Sequence, residues 1–466
     1  MSRKIAVIGT GFVGAAYGAA LAEYNNQVMC ADINGGRIDA CNAFCANPQD
    51  NRFPVYEPGL EQLVQTGHAR GLLSFTEDVQ QAIWGSDIVF IAVGTPPQDP
   101  KSEKSPADLG YVKGAAHKIG KILKESGKYL IVVNKSTVPV KTAQMVEEIL
   151  AQYVDPSKFD VVSNPEFLAE GTAVADCKKP SRIVVGTRNP DVVDVFRDLY
   201  GPFIENAPHK LFAMSPESAE LTKYFSNTYL AMQVVLTNAF ANFSRLMGGD
   251  WYDQIRPAIA ADPRIGRFLY PGLGYGGSCF GKDVAELLNM MKKGRLNSAH
   301  WKLLDLGIDQ NRHQKLELNR RLADILQTQE FPGHRVAVWG TAFKPRTNDF
   351  RDAASLSVIP DLLRRGAIVR MHDPKVDHGE FVATLQEMGV DTTRLTHHTD
   401  EYEAARDANS LMILTEWRQY RTPKYDALAH VMAFPRIFDG KDILKPKDLI
   451  EQGFNCYAIG RPDIVI

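Results

Sequence analysis

A chain of 466 residues is too long for one hydrophobic core and implies two or three domains. Its 53 basic and 55 acidic residues leave a net charge of -2, which gives no sign of a nucleic-acid or anionic-membrane partner. No apolar run approaches the ~20 residues of a membrane span. The six cysteines include no C-x-x-C pair, so neither a disulfide framework nor a zinc site is expected.

The first 22 residues superficially mimic a secretory signal, but three glycines at motif spacing interrupt them. They are read as mature structure, and the protein as cytoplasmic. Residues 4–9 (KIAVIG) form an apolar run ending in glycine, the pattern of a buried parallel strand. Gly9-Thr10-Gly11-Phe12-Val13-Gly14 follows, then a small-residue helix to about Tyr24 and a second strand, QVMCAD, ending in Asp32. This is G-x-G-x-x-G between strand and helix with an acid at the expected distance, a dinucleotide fingerprint. Gly9 permits the tight turn, Gly11 the approach of a pyrophosphate, and Gly14 close helix packing. Asp32 suits the ribose hydroxyls and repels a 2′-phosphate, so NAD is expected. Arg37, one turn on, weakens that preference slightly.

Further strands are expected at Asp87–Val93, Tyr129–Asn134, Asp160–Ser163 and Arg182–Gly186. The first three run into Gly94-Thr95-Pro96, Lys135-Ser136-Thr137-Val138-Pro139 and Asn164-Pro165-Glu166-Phe167-Leu168-Ala169-Glu170-Gly171. Polar residues beyond strand carboxyl ends are where doubly wound sheets bind ligands. Thr95 and Thr137 also suit turn caps, and Glu166 and Glu170 solvated loop charges. Ser215-Pro216-Glu217 opens a helix well, with Ser as cap and Pro at its first position, and the pattern runs to about Met247. Such a helix serves as a spine or a subunit interface. Lys223 and Asn227 share one face of it.

Phe268 to Asp283 reads FLYPGLGYGGSCFGKD, with Cys279 among glycines and a helix beginning beyond it. A thiol at a helix N-terminus is favoured as thiolate, as a nucleophile requires. Ala299 to about Gln327 reads as one more long helix, broken by Phe331-Pro332-Gly333. From His334 the strand-then-glycine pattern restarts with HRVAVWG, followed by Thr341-Ala342-Phe343-Lys344 instead of a full fingerprint. Lys344 there suits a phosphate or sugar. The expected architecture is α/β: two Rossmann-like doubly wound parallel-sheet domains, 1–212 and 331–466, joined by a helical region 213–330 with a long spine helix.

Taken together, GTGFVG, YEPGL (56–60), GTP (94–96), STVP (136–139), NPEFLAEG, Lys223-x3-Asn227, the Cys279 loop, FK (343–344) and FDG (438–440) resemble the UDP-glucose 6-dehydrogenases of the UDP-glucose/GDP-mannose dehydrogenase family, in order and over nearly the whole chain. The resemblance implies four-electron oxidation of UDP-glucose to UDP-glucuronate with NAD, for use in polysaccharide synthesis. It implies a homodimer or higher homo-oligomer through the central helix. Oxidising an alcohol to an acid needs a second hydride transfer, and a thiolate adding to the aldehyde makes a thiohemiacetal that can give it. By resemblance Cys279 is that nucleophile and Lys223 and Asn227 stabilise the oxyanion. Asp283 and Thr137 hold the water, and Glu166 is the general acid/base. Thr95, Thr137, Glu170, Lys282 and Arg351 lie by NAD with the fingerprint residues. Glu166, Phe167, Leu168, Ala169, Glu170, Lys223, Asn227, Phe268, Leu269, Tyr270, Pro271, Gly272, Gly276 and Lys344 lie by the UDP-sugar, and Arg264 reaches the sugar of a neighbouring subunit. Lys441 stands where the family commonly has Arg after FDG, and cannot make a bidentate contact. The competing substrates are GDP-mannose and UDP-N-acetylmannosamine. No metal is expected.

Overall fold

The structure, a computed structural model, describes residues 2–100, 102–266 and 268–466. The chain divides into two compact units, 1–226 and 227–466.

The first unit is built on eight strands: β1 (Lys4–Ile8), β2 (Gln27–Ala31), β3 (Leu73–Thr76), β4 (Ile88–Ile91), β5 (Leu130–Asn134), β6 (Phe159–Ser163), β7 (Ile183–Gly186) and β8 (Leu211–Met214). Their order is β3-β2-β1-β4-β5-β6-β7-β8. The sheet is parallel from β3 to β6. At its far side β7 joins antiparallel, with Ser163 opposite Gly186, and β8 runs parallel to β7. Successive side chains of a strand face opposite ways. Ile5 and Val7 therefore enter one core layer, while Ala6 and Ile8 enter the layer on the other face. Because helices cover both faces, the central strands β1, β4 and β5 are continuous apolar runs over most of their length. The strand order reverses between β1 and β4, which opens a crevice at their carboxyl ends.

The second unit holds β9 (Arg335–Trp339), β10 (Ile368–His372), β11 (Leu395–His397), β12 (Ser410–Ile413), β13 (Arg436–Asp439) and β14 (Asn455–Ala458). All pairs are parallel and the order is β11-β10-β9-β12-β13-β14, the same as β3 through β6. The likeness extends to single hydrogen bonds. Gly9 and Gly340 each follow a first strand in a left-handed conformation, at φ 98° and 93°. Each donates its N–H to the second strand, Gly9 to Ala31 O at 2.7 Å and Gly340 to His372 O at 2.8 Å. The next residue's N–H then meets the acid beyond that strand: Thr10 to Asp32 at 2.8 Å, Thr341 to Asp373 at 2.7 Å.

The long helix is Pro216–Leu246, 31 residues, or about 46 Å at about 1.5 Å per residue. The division between the units falls within it. The single helix expected over 299–327 is two, Ser298–Lys315 and Glu317–Leu326, interrupted at Leu316. No Gly or Pro marks the break. Anchors on either side account for it: Lys315 donates to Asp352 O at 2.9 Å and Asn319 to Val358 O at 3.0 Å.

Candidate active site

The fingerprint folds as its spacing requires. A side chain at Gly14 would place a Cβ 1.8 Å from Gly9 O, so only glycine lets the Phe12–Glu23 helix lie this close to β1. Beside Gly11, the helix cap, there is open space within 4 Å, room for the pyrophosphate of a dinucleotide. Burial would raise the Asp32 carboxyl, but the Thr10 and Asn34 N–H groups, the Thr10 hydroxyl and Arg37 together hold it below the usual range. Its Oδ2 takes Thr10 N–H, Thr10 Oγ1 and Arg37 Nη1, whereas Oδ1 takes Asn34 N–H. A lone pair of Oδ1 is left for a ribose hydroxyl. These residues fit NAD.

The β4 and β5 rims are tied together. Thr95 Oγ1 donates to Thr137 O at 3.1 Å, and Ser136 Oγ to Val93 O at 2.7 Å. Glu166 and Lys223 are both buried and meet at 2.9 Å. Burial alone would raise the Glu166 carboxyl. The Lys223 ammonium, the Leu168 N–H and Lys135 outweigh it and hold Glu166 below the usual carboxylate range. Phe167 and Leu168 are half-buried, Ala169 is exposed and Glu170 half-buried on the same loop. Glu57, in the YEPGL motif, fastens that loop by accepting Gly171 N–H at 2.7 Å and Ala173 N–H at 2.8 Å. Glu220, one turn before Lys223, accepts Lys141 and Ala143 N–H at the start of the Thr142–Leu150 helix. Burial pushes its carboxyl up to about 7.

In the second unit Cys279 caps the Phe280–Lys293 helix, where the positive end of the helix favours a thiolate. Its Sγ lies 3.6 Å from Ser278 Oγ. One turn in, Asp283 is wholly buried and donates its N–H to Cys279 O. Its two carboxylate oxygens are held from opposite sides, Oδ2 by Asn227 Nδ2 and Oδ1 by Lys282 Nζ, each at 2.6 Å. The Gly-rich loop before Cys279 is clamped. Asn311 takes Tyr275 N–H at 2.8 Å and gives to Tyr275 O at 3.1 Å. Asn238 takes Gly272 N–H and Gln314 gives to Gly272 O, both at 2.7 Å. Gly277, at φ 82°, donates to Arg351 O, and its missing side chain leaves room for the Phe343 ring.

Gly272 packs against Gly440 and Lys441, and Gly276 against Asp352 and Ala353. Lys441 pairs with Glu416 at 3.2 Å. Lys344 Nζ lies 5.2 Å from the Phe343 ring centre. Leu269 and Pro271 are buried while Phe268 and Tyr270 stand exposed. Arg264 is exposed and pairs with Asp262, and Arg351 pairs with Asp349. Sequence reasoning did not single out Glu57, Lys135, Asn164, Glu220, Asn238, Asn311 or Gln314. The first three lie in or beside its motifs; the last four sit in ordinary helical sequence with no local signal.

Three family models match in order. They are the NAD binding domain of the UDP-glucose/GDP-mannose dehydrogenase family over residues 3–204, its central domain over 217–312 and its UDP binding domain over 337–446. The chain is 38% identical over 464 residues to the UDP-glucose 6-dehydrogenase of Pseudomonas aeruginosa, covering 98% of each chain. It is 36% identical to UDP-glucose 6-dehydrogenase TuaD of Bacillus subtilis, covering 99% of this chain and 94% of that one. A solved UDP-glucose dehydrogenase from Pyrobaculum islandicum superposes with a TM-score of 0.83 at 32% identity, covering 95% of both chains. This chain belongs to the UDP-glucose/GDP-mannose dehydrogenase family and uses NAD.

Proposed function

We infer that this chain oxidises the 6-hydroxymethyl group of UDP-glucose to a carboxylate, giving UDP-glucuronate. The observation that carries the reading is Asp283, buried and gripped by Asn227 and Lys282 one helical turn behind Cys279. A simple alcohol dehydrogenase needs no such thiol. The relatives named UDP-glucose 6-dehydrogenase support the choice of substrate.

NAD, when bound, accepts the hydride in each oxidation. After the first, Cys279 Sγ attacks the aldehyde carbon; a C–S bond forms and the carbonyl pair moves to oxygen. Lys223 and the remaining N–H of Asn227 stabilise that oxyanion. Departure of the second hydride leaves a thioester. Water held by Asp283 and Thr137 then attacks, Glu166 takes its proton and gives it to the departing sulfur, and the C–S bond breaks to release the acid and the Cys279 thiol. Thr95, Glu170, Lys282 and Arg351 are assigned to NAD, and the 268–272 segment, Gly276, Lys344 and Lys441 to the UDP-sugar. Arg264 is assigned to the sugar on a neighbouring copy.

The domain limits 1–212, 213–330 and 331–466 are retained as proposals. A homodimer through the long helix fits its exposed Tyr229, Leu236, Phe240, Phe243 and Leu246, which recur at helical spacing. Residence in the cytoplasm fits six cysteines that form no disulfide. Among the described residues no helix is long and apolar enough to cross a membrane.

The test is NADH formed per UDP-glucose consumed, run to completion beside Cys279→Ala. Two NADH per sugar, with turnover stalled in the variant, is the expected outcome. One NADH with aldehyde as product overturns the thiol mechanism. Activity on GDP-mannose or UDP-N-acetylmannosamine alone changes the substrate and keeps the chemistry.

A further inference from the structure

Behind the β5 and β6 rims lies a polar cluster that the chemistry above does not use. Lys135, directly after β5, is buried. Its Nζ donates to Asn164 Oδ1 at 2.9 Å and sits 3.7 Å from the centre of the Tyr17 ring. Tyr200 OH donates to the same Asn164 oxygen at 2.6 Å, and Asn164 Nδ2 to Val184 O at 2.6 Å. A buried ammonium is expensive to hold, whereas an apolar side chain of that length would fill the space without the expense. Burial pushes Lys135 down to about 7. Cys177 and Glu166 favour its charge, Lys223 opposes it, and Tyr17 and Tyr200 complete the titratable groups around it.

Position gives the cluster a task. Lys135 opens the loop that carries Thr137, and Asn164 opens the loop that carries Glu166. One hydrogen bond between them therefore spans both catalytic loops. We propose that Lys135 is a positioning residue for the Glu166–Lys223 pair: it locks the Glu166 loop to the Thr137 loop, and its ammonium favours Glu166 as the carboxylate. This rests on the reading of Glu166 as general acid/base.

The test is the pH profile of kcat for Lys135→Met, with Glu166→Gln and Tyr200→Phe alongside. Loss of the ammonium moves the acidic limb to higher pH, because a positive neighbour no longer favours ionised Glu166. Tyr200→Phe keeps the charge and leaves the limb in place. An unmoved limb in Lys135→Met, in a preparation where Glu166→Gln abolishes it, overturns the proposal alone. A limb that survives Glu166→Gln overturns the acid/base reading itself. If Lys135→Met does not fold, Asn164→Asp offsets the same ammonium with a carboxylate and moves the limb in the same direction; an unmoved limb there also overturns the proposal.

Discussion

Lys223 and Glu166 form a buried pair in which each charge is tolerated because of the other. Removing one partner of such a pair costs about 3–5 kcal/mol, so Lys223→Met is expected to lower the urea midpoint sharply. The pH dependence should also invert. In the parent chain Glu166 is held below its ordinary value, so folded protein binds fewer protons than unfolded. The pair's stabilisation is then present above the ordinary carboxylate range and lost as pH falls through the depressed folded value. In Lys223→Met burial becomes the dominant influence and raises Glu166, so its contribution is lost as pH rises instead. Midpoints measured across mildly acid to neutral pH distinguish the two slopes. Equal slopes would mean that Lys223 does not govern the carboxylate.

At the scale of elements, the loop before Cys279 has little regular structure and is held by side chains of two helices. Asn311 satisfies both backbone groups of Tyr275. Leaving such buried groups unmade costs about 1–3 kcal/mol. A displacement of about 1 Å at a reacting group can cost on the order of 10²-fold in rate. Asn311→Ala is thus expected to lower kcat with a smaller change in melting temperature; unchanged kcat would show that the clamp does not position the thiol. This is also where the sequence stops being legible. Strands with continuous apolar runs, the glycine fingerprint and the Ser215-Pro216 helix start are local signals, and each appears as an element close to its expected limits. β3, β8 and β11 are short and partly exposed, and they become strands only by pairing with a neighbour. Asn311, Gln314 and Asn238 resemble any polar helical residues, because their partners lie 34 or more positions away in sequence. The break at Leu316 has the same origin: distant anchors, with no local breaker.

At the scale of the whole molecule, the exposed aromatic face of the Pro216–Leu246 helix carries the prediction about assembly. Replacing Tyr229 and Phe243 together by Glu places two charges on that face, and sedimentation of the variant is expected to show monomers where the parent shows dimers. An unchanged assembly would move the interface elsewhere. The repeated strand order has another consequence. Asp32 keeps one lone pair for a coenzyme, whereas Asp373 spends its carboxylate on Thr341, Ala342, Lys375 and Val376 N–H and on Trp417 Nε1. Where the first loop has Gly11, the second has Ala342, and Lys344 and Pro345 stand where the first has Val13 and Gly14. The same strand order thus serves the coenzyme in the first sheet and is released from that duty in the second. Substitutions in the second sheet can change which sugar nucleotide is accepted while the hydrogen bonds that select NAD stay intact, so substrate range is free to diversify under a fixed redox partner.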